Sequence, residues 1–196
     1  KMMNKIYKSI LYLILLESVL IARSSVAFIP KINEPNQQEL KSTAIQIGRT
    51  ALQLIALGQN EEAINLLNLA VKLNPKEINL WSSLAEAQVR SNRNYQALSS
   101  LNEVIKSKPN DHNIYLREAS IYFNLDDPIK AKISINKSLL INKNNERGYF
   151  QLGNAEIMLK NYRSALIAFK KSSKINPNFW QSINNEGLVL FELHDS

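Results

Sequence analysis

A period of 34 residues runs through positions 44–179 without an insertion or deletion. Four full periods fit, 44–77, 78–111, 112–145 and 146–179, and half of a fifth occupies 180–196. Strict recurrence at this length marks a solenoid, in which each unit buries its apolar face only against its neighbours. Such a chain offers an extended binding surface rather than an enclosed catalytic pocket.

Superimposing the periods shows what each column does. Position 4 holds Ile47, Trp81, Tyr115, Tyr149 and Ile183, and position 8 holds Ala51, Ala85, Ala119, Gly153 and Gly187. Position 20 is Ala63, Ala97, Ala131 and Ala165. Two antiparallel helices approach closely only where a small residue faces the partner, so positions 8 and 20 read as the close contacts. The bulkier columns, position 4 and position 24 (Leu67, Leu101, Ile135, Phe169), fill the space between them. Enlarging Ala97 to Leu overpacks such a contact, at a cost of roughly 1–3 kcal/mol.

The helix ends are also written locally. Position 32 is Pro75, Pro109, Lys143 and Pro177. Proline stops the second helix because it lacks the N–H donor and disfavours helix in the residue before it. Lys143 predicts a more helical linker between the third and fourth units. Leu57-Gly58-Gln59-Asn60 places glycine where a first helix should stop, and Asp126-Asp127-Pro128 supplies an N-cap acid followed by proline at the first helical position. Apolar spacing within each half is helical, as in Ile64, Leu67, Leu69 and Val71 or Leu98, Leu101, Val104 and Ile105. The fold class is all-α, built from antiparallel helix pairs.

The fourth period, ERGYFQLGNAEIMLKNYRSALIAFKKSSKINPNF, carries an aromatic, Leu-Gly, Ala, Phe and Pro in register and resembles the tetratricopeptide repeat family. The resemblance covers residues 44–196. It implies a right-handed superhelical solenoid whose first helices line a concave groove, usually a surface for a protein or peptide ligand. Family geometry turns first-helix positions 2, 5, 6, 9, 12 and 13 towards that groove. The implied partner-binding residues are Arg49, Asn79, Ser82, Arg90, Asn113, Arg117, Arg147, Gln151, Asn154, Asn184 and Asn185, with Glu86 among them. Val89, Phe123, Ile157 and Phe191 supply the apolar position 12. Arginine and amide side chains suit an extended peptide, whose backbone and carboxylates need donors. The alternative is that the arginines solvate the surface and pair with Glu86 and Glu118. Some family members grip a C-terminal carboxylate with three successive units; Gly48 and Leu52 at the first-unit positions do not reproduce that set. Position 7 reads Thr50, Leu84, Glu118, Leu152 and Glu186, and both acids are expected to be partly exposed and paired with a nearby arginine.

Residues 1–27 follow a different logic. Lys1, Lys5 and Lys8 precede the apolar run Ile10-Leu11-Tyr12-Leu13-Ile14-Leu15-Leu16, and Ser25-Val26-Ala27 supplies the small residues a signal peptidase reads. We expect a signal peptide cleaved near Ala27–Phe28, with a retained membrane anchor as the competitor. The apolar stretch is short for a span, which needs ~20 residues. Residues 28–43 read as a linker running into a leading helix from about Asn36. The domain of repeats then occupies 44–196. The half period at the end and the absence of an opening methionine leave a fragment of a longer chain as an alternative.

Charge and composition narrow the chemistry. The net charge is +7; four bases and one acid put +3 of it in residues 1–27 and leave a modest +4 for the rest. Lysines concentrate on second helices and linkers, whereas Arg49, Arg90, Arg117 and Arg147 fall on first helices. Zero cysteines exclude disulfides and thiolate chemistry. The two histidines, His112 and His194, have no metal-ligand spacing, and His112 is expected to face solvent. No glycine-rich phosphate loop is present. Trp81 and Trp180 read as packing residues, and without interleaved exposed aromatics the basic outer face argues against nucleic acid. No cofactor or metal is expected, and no set of nucleophile, base and oxyanion donors suggests an enzyme. The block from Pro35 through Leu40, followed by Gly48-Arg49-Thr50-Ala51-Leu52-Gln53-Leu54, resembles exported tetratricopeptide proteins of cyanobacteria. The expectation is an exported (periplasmic or thylakoid-lumenal) or membrane-anchored adaptor, and the resemblance implies a role in assembling a membrane or photosynthetic complex. The alternative is an N-terminal targeting or regulatory domain of a larger enzyme.

Overall fold

The computed structural model describes residues 36–194. Among them are nine helices and no strand: α1 (Gln37–Ala56), α2 (Asn60–Leu73), α3 (Ile78–Arg90), α4 (Asn94–Ser107), α5 (His112–Asn124), α6 (Pro128–Ile141), α7 (Glu146–Met158), α8 (Tyr162–Ile175) and α9 (Trp180–His194). They form antiparallel pairs from α1/α2 to α7/α8, with α9 the first helix of the fifth unit. Each helix packs on the next in the chain, and first helices of neighbouring units also touch, α1 on α3 and α5 on α7. This is the right-handed superhelical solenoid that the family resemblance implies. Residues 1–27 and the first part of the 28–43 linker, and with them the expected targeting segment and cleavage point, lie outside the described residues. No helix among the described residues is long and apolar enough to cross a membrane.

The small columns sit where the helices touch. Ala51, Ala85 and Ala119 at position 8, and Ala63, Ala97, Ala131 and Ala165 at position 20, are all buried. Where position 24 grows to Phe169, position 8 shrinks to Gly153, and a β-carbon there would lie 2.5 Å from the Phe169 ring. Position 4 ties the linkers down with its polar tip: Trp81 Nε1 donates to the Pro75 carbonyl and Tyr115 Oη to the Pro109 carbonyl, both at 2.9 Å.

Every turn inside a repeat has one design. Gly58, Asn92, Asp126 and Lys160 hold position 15 at φ of 78, 57, 55 and 59°. The next residue's N–H reaches back five positions, as in Gln59 to Leu54 at 2.9 Å and Asn161 to Glu156 at 2.8 Å. This pattern satisfies the last carbonyls of each first helix. Only the first of the four turns uses glycine.

The third linker corrects the expectation attached to Lys143. α6 ends at Ile141, and Asn142 is extended (φ −127°, ψ 98°), so no extra helix forms. Asn142 Oδ1 accepts from Asn144 N at 3.1 Å, and Asn145 Oδ1 caps α7 through Gly148 N at 3.2 Å. Asparagine side chains thus break the helix where proline does so elsewhere. The same two asparagines explain a second correction. His112 does not face solvent; it lies half-buried between Asn142 Nδ2 at 3.2 Å and Asn145 Nδ2 at 2.9 Å.

Candidate functional site

First helices from three successive repeats enclose an open cleft of about 650 Å³. From α5 come Asn113, Leu116, Arg117, Ser120 and Phe123; from α7, Arg147, Phe150, Gln151 and Asn154; Phe179 and Gln181 close it from the start of α9. The α5 and α7 residues and Gln181 occupy positions 2, 5, 6, 9 and 12 of their periods, the face assigned to the groove.

A polar ladder crosses the floor. Arg117 Nη1 donates to Ser82 Oγ at 2.6 Å and Nη2 to the Ser82 carbonyl at 3.1 Å. Gln151 Nε2 donates to Ser120 Oγ at 3.1 Å, and Asn185 Nδ2 to Asn154 Oδ1 at 3.0 Å. In each case position 6 of one repeat donates back to position 5 or 9 of the repeat before it. Each bond contributes about 1 kcal/mol and fixes the spacing between neighbouring first helices.

The structure therefore divides the eleven sequence-assigned residues. Asn113, Arg117, Arg147, Gln151 and Asn154 come together in the cleft, with Ser82 and Asn185 bonded to its walls. The others lie outside it. Asn79 Nδ2 donates to Glu77 at 2.9 Å, and Arg90 pairs with Glu86 on its own helix at 2.9 Å. Arg49 and Asn184 are exposed on α1 and α9. Arg147 is exposed and makes no hydrogen bond or ion pair among the described residues.

The acids at position 7 behave differently from the expectation of arginine partners. Glu118 accepts from Ser134 Oγ at 2.6 Å, and Glu186 lies 3.5 Å from Ser173 Oγ. A serine on a neighbouring second helix, Ser134 of the same repeat for Glu118 and Ser173 of the repeat before for Glu186, meets each carboxylate, which leaves Arg117 free to bridge repeats.

Several lining residues escaped the sequence reading. Ser120 and Gln181 stand at positions 9 and 2, so the assigned face already contained them. Phe150 stands at position 5 and meets Phe179 edge-on, with ring centroids 5.3 Å apart. Phe179 belongs to position 34, outside the first helix. Its signal was a break in a capping column: Glu77, Asp111 and Asn145 at that position each accept a backbone N–H of the next helix.

Outside the cleft, Trp180 is 62% exposed, which corrects its reading as a packing residue. The outer faces of α4, α6 and α8 expose Tyr95, Ile129, Ile133 and Ile167 among the lysines. That surface is more apolar than the charge distribution implies.

Two family models, both described as tetratricopeptide repeat, match the chain; one spans residues 54–121 and the other 112–145 and 146–179. No curated protein matches in sequence. Among solved structures, MamA from Desulfovibrio magneticus RS-1 is similar at a TM-score of 0.70 and 16% identity, over 78% of this chain and 86% of that one. A tetratricopeptide repeat protein from Parabacteroides merdae gives 0.69 at 17% identity, over 81% and 66%. YrrB, described as having an unusual peptide-binding site, gives 0.61 at 16% identity, over 77% and 78%. At such identities the likeness is one of fold.

Proposed function

Because the chain belongs to the tetratricopeptide repeat family, we propose that it is a non-enzymatic adaptor that holds an extended segment of a partner protein in its concave groove. The observation that carries this is the cleft itself. Side chains from three consecutive repeats converge there, with amides and guanidinium groups beside aromatic rings, and no carboxylate lines it. The similarity to YrrB adds a precedent for peptide binding on this fold.

The adaptor works at a membrane or in an exported compartment, a reading supported by the basic and apolar pattern of residues 1–27. Assembly of a membrane complex, photosynthetic in a host that makes one, is the role that fits an exported repeat protein of this kind. N-terminal sequencing of the native protein tests the compartment: a chain beginning at Phe28 supports export, and an intact Lys1 segment in the membrane fraction supports an anchor.

A crosslinking pull-down from native extract tests the groove. The bait is compared with an Arg147→Ala/Gln151→Ala/Asn154→Ala variant and with a Tyr95→Ala/Ile129→Ala/Ile133→Ala variant, each checked for helicity by circular dichroism. Loss of a captured partner only in the first variant supports the groove. Loss only in the second moves the working surface to the outer face and overturns the reading.

The second reading, a targeting or regulatory module of a larger enzyme, draws on the bare face of α9. Ile183 and Gly187 occupy the columns that contact the second helix in other repeats, yet Ile183 is exposed and nothing lies within 4 Å of a β-carbon built on Gly187. A native mass well above 22.3 kDa would favour it.

A further inference from the structure

The fourth repeat departs from the pattern of its own chain at three places, and all three meet in the cleft. Position 34 caps the following helix with Glu77, Asp111 and Asn145, but becomes Phe179, which has no acceptor to offer. Position 5 is Gly48, Ser82 and Leu116 before it becomes Phe150. Position 2 is Ile45, Asn79 and Asn113 before it becomes Arg147. Phe150 and Phe179 stack edge to face at 5.3 Å, and both are half-buried, as is Phe123 across the cleft. Arg147 stands beside this aromatic floor with no anionic partner among the described residues, while Arg117 is already held by Ser82.

Resting on the groove reading, we propose that this cleft selects an extended peptide bearing an acidic side chain close in sequence to a large apolar one. The carboxylate seats on Arg147, the guanidinium whose donors are unused, and Arg117 reinforces the positive field. The apolar side chain covers Phe123, Phe150 and Phe179. Asn113, Gln151, Asn154 and Gln181 present amide donors and acceptors of the kind a peptide backbone matches. A volume of about 650 Å³ falls within the roughly 300–1,000 Å³ typical of ligand sites and holds a short run of residues rather than a folded domain. Charge complementarity decides the sign: the lining carries two cations and no anion, so a basic segment is excluded.

The test is selection of a random peptide library displayed on phage against the full chain, followed by fluorescence anisotropy with the enriched peptides. We expect enriched sequences to combine Asp or Glu with Phe, Leu or Trp. Arg147→Gln should weaken binding at least tenfold, Arg147→Lys should recover part of it, and Phe179→Ala should weaken it similarly. Arg163→Gln on α8 should leave it unchanged. Binding should also fall as salt rises from about 0.1 to 1 M, because an exposed ion pair is screened over that range. Enrichment of basic or purely apolar peptides that still depend on Gln151 and Asn154 would overturn this inference and leave the groove reading standing. Enriched peptides indifferent to Arg147, Phe179, Gln151 and Asn154 alike would overturn both. A library from which the chain enriches nothing, or tighter binding of an RNA oligonucleotide than of any peptide, would also overturn the proposal.

Discussion

Gly153 and Phe169 show how one repeat absorbs a side chain larger than its neighbours use. The other three pairs across positions 8 and 24 are Ala51 with Leu67, Ala85 with Leu101 and Ala119 with Ile135. A methyl group added at Gly153 would approach Cε1, Cζ and Cδ1 of Phe169 within 2.7 Å, and the ring is fully buried and cannot swing away. We expect Gly153→Ala to cost roughly 1–3 kcal/mol in urea unfolding. Gly153→Ala with Phe169→Leu should be less destabilised than the two single changes sum to, because it recreates the pair used in the first two repeats. A double-mutant cycle showing simple additivity would contradict this. At the same scale Lys160 holds φ 59° at the position where the first repeat places Gly58. Relieving the left-handed strain outweighs glycine's added chain entropy, so Lys160→Gly should stabilise by about 0.5–1 kcal/mol.

At the scale of elements, the helices and their stops were legible in the sequence to different degrees. The period, the small columns and the Asp127-Pro128 start of α6 correspond directly to the helix pairs, their contacts and their caps. Asp127 accepts from Lys130 N at 3.0 Å and pairs with Lys130 Nζ at 2.8 Å. The third linker was misread because proline is only one way to end a helix; Asn142 and Asn145 do it with side-chain hydrogen bonds, and His112 needed a fold to bring it 33 residues down the chain onto Asn145. Lys143→Pro should therefore be tolerated. Asn142 before it is already extended, as a residue preceding proline must be, and three other repeats place proline here. A gain of about 0.4–1 kcal/mol is expected from the stiffer unfolded chain, read in the same urea titration. The cap on α6 gives a pH signature. Lys130 lowers the Asp127 carboxyl's pKa, first through its side-chain and then through its backbone hydrogen bond. A depressed folded value means the stabilisation is present above the usual carboxylate range and lost as pH falls through the folded value. Asp127→Ala should melt lower than the parent at pH 7, and the gap should narrow as acid protonates the carboxyl.

Across the whole molecule, the family resemblance supplied the columns whose residues line the cleft, whereas the place where they converge was not legible. The eleven assigned residues run the length of the solenoid, but the cleft forms only where α5, α7 and the start of α9 converge, and its aromatic floor depends on Phe179 giving up a cap. Interactions in a solenoid are between neighbours, so stability differs along it: a unit covered on both sides opens last and a helix with a bare face opens first. α9 packs on α8 while Ile183, Leu188 and Phe191 remain exposed. In hydrogen exchange, amides of α9 such as Val189 should therefore exchange well before those around Leu101 in α4 or Ile135 in α6. The proposed peptide site reaches that helix, since Gln181 in α9's first turn and Phe179 just before it line the cleft, and Asn185 donates to Asn154 across the floor. A peptide seated against Arg147 and Phe179 would bridge α7 to α9. Its occupancy should slow α9 exchange while leaving α1 and α2, two repeats away, unchanged. Uniform protection along all nine helices would mean the solenoid responds as one cooperative block, and equal exchange with and without peptide would place the ligand elsewhere.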